Sequence, residues 1–122
     1  MDDAFGKKLW VFPDTELPPP GDFPLKGHES IIVLNMTAKP ASVRITLYFA
    51  DRPPTALQPL AVAAERVRCF RMDHEKEIGY GVPRETQYAV RLESDVPVVV
   101  QYGRLDSRQA NLAYYTTMGY QA

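Results

Sequence analysis

The residues most able to do chemistry in this chain lie close together, in Gln101-Tyr-Gly-Arg-Leu-Asp-Ser-Arg-Gln109, directly after the apolar run Val98-Val-Val100. Two guanidiniums, a carboxylate, a hydroxyl and two carboxamides offer fixed hydrogen-bond groups where a β-branched strand meets a loop. Gly103 breaks the strand and lets the backbone bend or approach a ligand. Arg104, Asp106 and Arg108 alternate, so in an extended chain they point the same way. Such a row either satisfies itself as an ion-pair network that pins a turn, or grips a ligand between its charges. Both readings stand on residue types alone.

Two further polar pairs sit where strands end, His28-Glu29 and Asp51-Arg52. Gathered with Arg104, Asp106, Arg108 and Gln109 at one end of a rigid scaffold, they would suit a hydroxyl-rich or anionic small ligand. Trp10 or Tyr102 would supply the flat apolar wall of such a pocket, although a lone tryptophan is more often core. Catalysis has little behind it. Ser107 lies in no Gly-x-Ser-x-Gly turn, and nothing sets His28 or His74 beside it as a base. Asp73-His74-Glu75 puts three metal-binding types in a row, but neighbours on an extended chain diverge, and Cys69 adds too little for a zinc set. No metal or cofactor is therefore expected, and the chain reads as non-enzymatic.

The elements that must position these groups read as strands. Val43, Ile45, Leu47 and Phe49 alternate with Arg44, Thr46 and Tyr48, and Tyr88, Val90 and Leu92 alternate with Gln87, Arg91 and Glu93. This period of two predicts antiparallel strands with one buried face. Further strands are expected at Leu9–Phe12, Glu29–Met36, Leu57–Ala64, Arg66–Met72 and from Val98. Ser94–Pro97 is expected to turn the chain between the last two alternating runs. Pro13 to Gly27 holds five prolines and two glycines, which predicts a long loop in place of a ladder strand. Asp73–Glu77 reads as a charged turn. Over residues 111–120 a last strand competes with a short helix, and Tyr114-Tyr-Thr-Thr117 favours the strand. The predicted fold is all-β: an antiparallel, jelly-roll-like β-sandwich with little or no helix, one domain over residues 1–122.

Composition narrows the function classes. With 122 residues, 45% hydrophobic content and a net charge of −1, the chain resembles an ordinary globular domain and not a nucleic-acid binder. The one local exception, Arg66-Val-Arg68 with Arg44, would make a small basic stripe, which is more often the solvated face of a strand. No apolar run nears the ~20 residues of a membrane span. A single cysteine leaves no intramolecular disulfide, and the first residues lack a secretory pattern. The expected location is cytoplasmic.

Val99-Val-Gln101, then Arg104-Leu-Asp-Ser-Arg-Gln-Ala110, then a tail ending Gly119-Tyr120, resembles the C-terminal signature of the sensory rhodopsin transducer family. Trp10, the proline-rich segment with Gly21, His28-Glu29, Tyr48-Phe-Ala-Asp-Arg-Pro53, Leu60-Ala-Val62 and Arg71-Met-Asp73 match upstream in the same order. The resemblance implies a compact β-sandwich, often assembled as a symmetric homo-oligomer, here expected as a homotetramer. It also implies a small-molecule-binding module for sugar-like ligands, which would make Trp10, His28, Glu29, Asp51, Arg52, Arg104, Asp106, Arg108 and Gln109 its ligand-binding residues. Two functions follow from it: a ligand-binding sensor that signals through protein contacts, or an adaptor that docks on the cytoplasmic face of a membrane photoreceptor. For docking on a basic receptor face, Asp73–Glu77 is the only local acidic candidate. A link to transcription would rest on the arginine stripe alone.

Overall fold

The structure is a computed structural model, and it describes residues 5–108 and 112–122. One strand organises it. β7 (Gln87–Asp106) runs for 20 residues and belongs to both layers of the sandwich. Its first half pairs antiparallel with β1 (Lys7–Glu16) on one side and β3 (Ala41–Phe49) on the other. Its second half pairs with β2 (His28–Asn35) and β8 (Ala113–Thr117). β4 (Thr55–Ala56) and β5 (Leu60–Val62) extend the first layer beyond β3, and β9 (Tyr120–Gln121) extends it beyond β1. β6 (Arg66–Arg71) extends the second layer beyond β2. The only helix among the described residues is α1 (Glu75–Ile78), a single turn within the segment expected to be a charged turn.

The expected turn at Ser94–Pro97 is absent. β3 pairs with β7 as far as Ser94, and β2 takes over from Val99. Pro97 has no N–H to give a ladder, so it sits where the strand leaves one layer for the other. The corner is held by the Asp95 carboxylate, which accepts from Ser42 N at 2.8 Å, and by Ser94 Oγ, which accepts from Val96 N at 3.3 Å. Two predicted strands are thus one bent strand.

The first strand is also longer than its residue types suggest. Phe12 pairs with Val90 and Thr15 with Tyr88, so Pro13 and Asp14 together oppose Ala89 alone. A bulge absorbs the proline, and β1 continues to Glu16. Thr15 secures the resumed ladder by donating Oγ1–H to the Tyr88 carbonyl at 2.6 Å. Only the stretch after Leu17 is the proline-rich loop. It closes on itself through Gly27 N to Pro20 O, 2.9 Å. A Cβ at Gly27 would lie 2.5 Å from the Pro19 carbonyl oxygen, so only glycine fits this crossing.

The core lies between the layers and is built from the alternating faces. Val43, Ile45 and Leu47 from β3 meet Ile31 and Val33 from β2, with Tyr88, Val90, Leu92, Val98, Val100 and Tyr102 from β7. Phe49, expected inward with its neighbours, is only half-buried, because β3 ends there and the sheet no longer covers it. Residues 113–117 form a strand and not a helix, and every one of them is exposed.

Candidate functional site

Glu29 is the central group. On β2 it follows the inward face of Ile31 and Val33, and its side chain is fully buried. One carboxylate oxygen, Oε1, accepts the Tyr88 hydroxyl at 2.6 Å. The other, Oε2, accepts the Glu16 backbone N–H at 2.8 Å and a short hydrogen bond from the Tyr102 hydroxyl. The two tyrosines lie in different halves of β7, one in each layer. Burial pushes the Glu29 carboxyl above the ordinary carboxylate range, against the pull of Tyr102, Tyr88, the Glu16 N–H and the charge of Arg104. Burial and the facing carboxylate likewise push both tyrosine hydroxyls upward, so they remain protonated donors.

Above Glu29 stands the arginine row. Arg104 pairs across the ladder with Glu29, and its Nη2 lies 3.9 Å from Asp106. Arg108 folds back on Asp106 with a forked contact, Nε reaching the two oxygens at 2.9 and 3.0 Å and Nη2 closing a short second bond. That fork, ahead of all other causes, holds the Asp106 carboxyl below its usual range. Arg104, Asp106 and Arg108 therefore do face one way, and part of their charge is spent on one another. Ser107 points to the opposite side, where its Oγ donates to the Pro20 carbonyl and ties the proline-rich loop to the end of β7.

The other expected site residues separate. His28 precedes Glu29 on the strand and so faces the other way; it is half-buried and its Nδ1 meets the Lys26 carbonyl at 2.7 Å. Asp51 and Arg52 are exposed and pair with each other, with Arg52 4.6 Å above the Phe49 ring. That ring touches Tyr88 at a centroid distance of 6.3 Å, which is the pair's link to Glu29. Trp10 is core. Its indole N–H is shared between the Lys7 and Val98 carbonyls, both at 3.1 Å, roughly 20 Å along β7 from Arg104 at ~3.3 Å per residue. It walls no pocket with the arginine row, because its ring is sealed in the core at the far end of that half of β7. Gln109 lies outside the described residues.

Residue-type reasoning passed over a second charged group under the loop. Arg84 donates from Nη1 to the carbonyls of Pro18 and Gly27, the latter at 3.0 Å, and its Nη2 lies 3.8 Å from Asp73. Arg71 grips the same carboxylate with bonds of 2.9 and 2.7 Å. Asp73, Arg84, Glu75, Tyr80 and Leu17 line a cleft of about 100 Å³. This is below the ~300–1,000 Å³ of a typical ligand pocket. Arg84 follows Pro83 in a segment with no periodicity, so no sequence signal gave it an address.

A family profile described as Anabaena sensory rhodopsin transducer matches residues 5–121. Among solved structures, a crystal structure of Thermotoga maritima 1070 superposes with a TM-score of 0.88 at 31% identity, covering 98% of this chain and 97% of the other. The Anabaena sensory rhodopsin transducer superposes with a TM-score of 0.73 at 34% identity, covering 88% of this chain and 96% of the other. No curated protein matches the chain. On the profile match and on two structural relatives above 30% identity, this chain belongs to the Anabaena sensory rhodopsin transducer family.

Proposed function

We propose that this chain, a signalling transducer module by family, acts without catalysis by binding a small polar ligand, anionic or hydroxyl-rich, at the arginine row, and passes that state on through protein contacts. The observation that carries the reading is Arg104. Its side chain is half-buried, stands opposite Glu29 in the ladder, and among the described residues meets only a 3.9 Å ion pair with Asp106. An arginine so placed has donors to spare for a carboxylate, a phosphate or a pair of hydroxyls. Asp106 and Arg108 flank it and supply an acceptor and a second fork. The test is chemical-shift mapping with sugars, sugar phosphates and dicarboxylates. A ligand that moves the amides of 104–108 and 28–30 supports the reading, and shifts confined to the cleft at Arg84 and Tyr80 would refute it.

The name of the relative favours a second reading, docking on the cytoplasmic face of a sensory rhodopsin. In that reading the chain works in the cytoplasm, and the exposed Tyr114, Tyr115 and Tyr120 supply contact surface, either to the receptor or between copies in a homotetramer. Titrating the chain against a sensory rhodopsin in nanodiscs, with light scattering on the free chain, separates the two. Receptor binding that survives Arg104→Ala but not Tyr115→Ala would favour docking. A monomer mass at micromolar concentration would remove the assembly.

A further inference from the structure

The structure points to a second property, independent of any ligand at the arginine row: we propose that Glu29 is a proton-operated joint between the two layers of the sandwich. The carboxylate sits on the second layer. It accepts from β1 and the first half of β7 in one layer, and from the second half of β7 in the other. The Glu16 N–H can only donate and both tyrosine hydroxyls lie where they can donate as well, so the arrangement suits the ionised acid. No cation lies within ion-pair distance of it among the described residues. The charge is held chiefly by hydrogen bonds, with the more distant charge of Arg104 in support, inside a sandwich where an unpaired charge is costly.

When the acid takes a proton from solvent, its two oxygens are not equivalent. Oε2 accepts two hydrogen bonds, from the Glu16 N–H and the Tyr102 hydroxyl, and Oε1 accepts one, so Oε1 is the more basic oxygen. The proton goes to Oε1. There it faces the Tyr88 hydroxyl, which can act as donor or acceptor. The hydrogen bond between Glu29 and Tyr88 then reverses, and the Tyr88 hydroxyl hydrogen turns to the Thr15 hydroxyl, the other side-chain oxygen it meets. No covalent bond other than the new O–H changes. Tyr88 pairs with Phe49 across β3, and the Phe49 ring carries Arg52, so the reversal is felt at the exposed end of the first layer.

The charged and titratable groups around the joint set its bias. Glu16 comes from β1, and Tyr88, Tyr102, Arg104 and Asp106 come from β7. Tyr115 on β8 pairs with Arg104 and touches the Tyr102 ring at 6.3 Å. From β6 and the segment after it come Arg71 and Asp73, already paired, while Met72 N donates to the Glu29 carbonyl at 2.9 Å. Arg84, from the segment before β7, binds the loop carbonyls and Asp73. His28 lies on the opposite face of β2. Arg104 favours the ionised joint, and burial favours the protonated one.

The experiment is an infrared pH titration of the folded chain, with the tyrosine Raman doublet followed in parallel. Wild type should show a carboxylic acid C=O band, lost in Glu29→Gln, whose midpoint lies above that of the exposed carboxylates. The doublet should move from donor to acceptor character at the same midpoint. Tyr88→Phe should raise the midpoint and remove the doublet change. Tyr102→Phe should raise the midpoint and keep it, which supplies the assignment even where Glu29→Gln does not fold. A band that appears only with the exposed acids or with unfolding overturns the proposal. So does a doublet that stays still while the band rises.

Discussion

Replacing Arg84 by alanine removes the one side chain, among the described residues, that reaches both ends of the proline-rich loop. Its Nη1 holds the Pro18 and Gly27 carbonyls, and both residues are buried, so neither oxygen has ready access to water once the guanidinium is gone. A hydrogen bond from a charged donor contributes about 1.5–3 kcal/mol, and each buried carbonyl left unpaired costs about 1–3 kcal/mol. The two descriptions overlap and are not summed. Arg84 keeps 29% of its side-chain surface exposed, which screens its 3.8 Å pair with Asp73 to roughly 0–1 kcal/mol. The net expectation is a loss of about 2–4 kcal/mol. At ~4 °C per kcal/mol for a domain of this size, Tm falls by about 8–16 °C. Calorimetry measures the drop, and hydrogen exchange locates it. Exchange should quicken over residues 17–27 while β3 and the first half of β7 stay protected. Arg84→Lys should recover only part of the loss, because one ammonium cannot span two carbonyls as a planar fork does. A Tm within 2 °C of wild type, or exchange that quickens evenly over the chain (2 °C being about 0.5 kcal/mol on the same scale), would show that Arg84 does not hold the loop.

Two other perturbations test the frame of the site. Leu47→Ala, in the sealed core, should cost about 2–5 kcal/mol in urea unfolding, whereas the half-buried Phe49→Ala should cost well under the ~3–5 kcal/mol of a buried phenylalanine; equal losses would contradict the burial pattern. Burial raises the Asp73 carboxyl, but the two Arg71 bonds and their charge outweigh it and hold the group below its ordinary value of 3.8. Its contribution to stability is therefore complete above 3.8 and is lost as pH falls through the lower folded value. Acid unfolding of Asp73→Asn should lack that component, and a wild-type acid limb in the variant would rule it out.

The alternation at Val43–Leu47 and Tyr88–Leu92 was legible because period two survives when one face is buried and the other is wet. Glu29 was legible as the first residue of a strand and as a polar site residue, but not as a buried one. Ile31, Ile32, Val33 and Leu34 fill both faces, so the strand shows no period to say which way Glu29 points. Counting back in twos from Val33 and Ile31 places it inside, and the same count from Val98 and Val100 places Tyr102 inside with it. The corner at Pro97 and the bulge at Pro13 escaped for a shared reason. A proline announces a missing N–H, but only the partner strands reveal whether the ladder ends there or merely skips a residue. His28 and Glu29 were grouped as neighbours in sequence, and the pleat sends neighbours to opposite faces.

The arginine row is proposed as a binding surface and not only a self-satisfied ion network. Differential scanning of wild type and Arg108→Ala against sugars, sugar phosphates and dicarboxylates addresses it most directly. Arg108 is exposed and bonds only Asp106 among the described residues, so its removal should leave the Tm of the free chain nearly unchanged. A ligand at 100 times its Kd adds about 2.7 kcal/mol, or about 10 °C at ~4 °C per kcal/mol. Wild type should show such a rise for at least one anionic or hydroxyl-rich ligand, and Arg108→Ala should lose it. A rise that persists in Arg108→Ala, or no rise with any member of the panel, would contradict it.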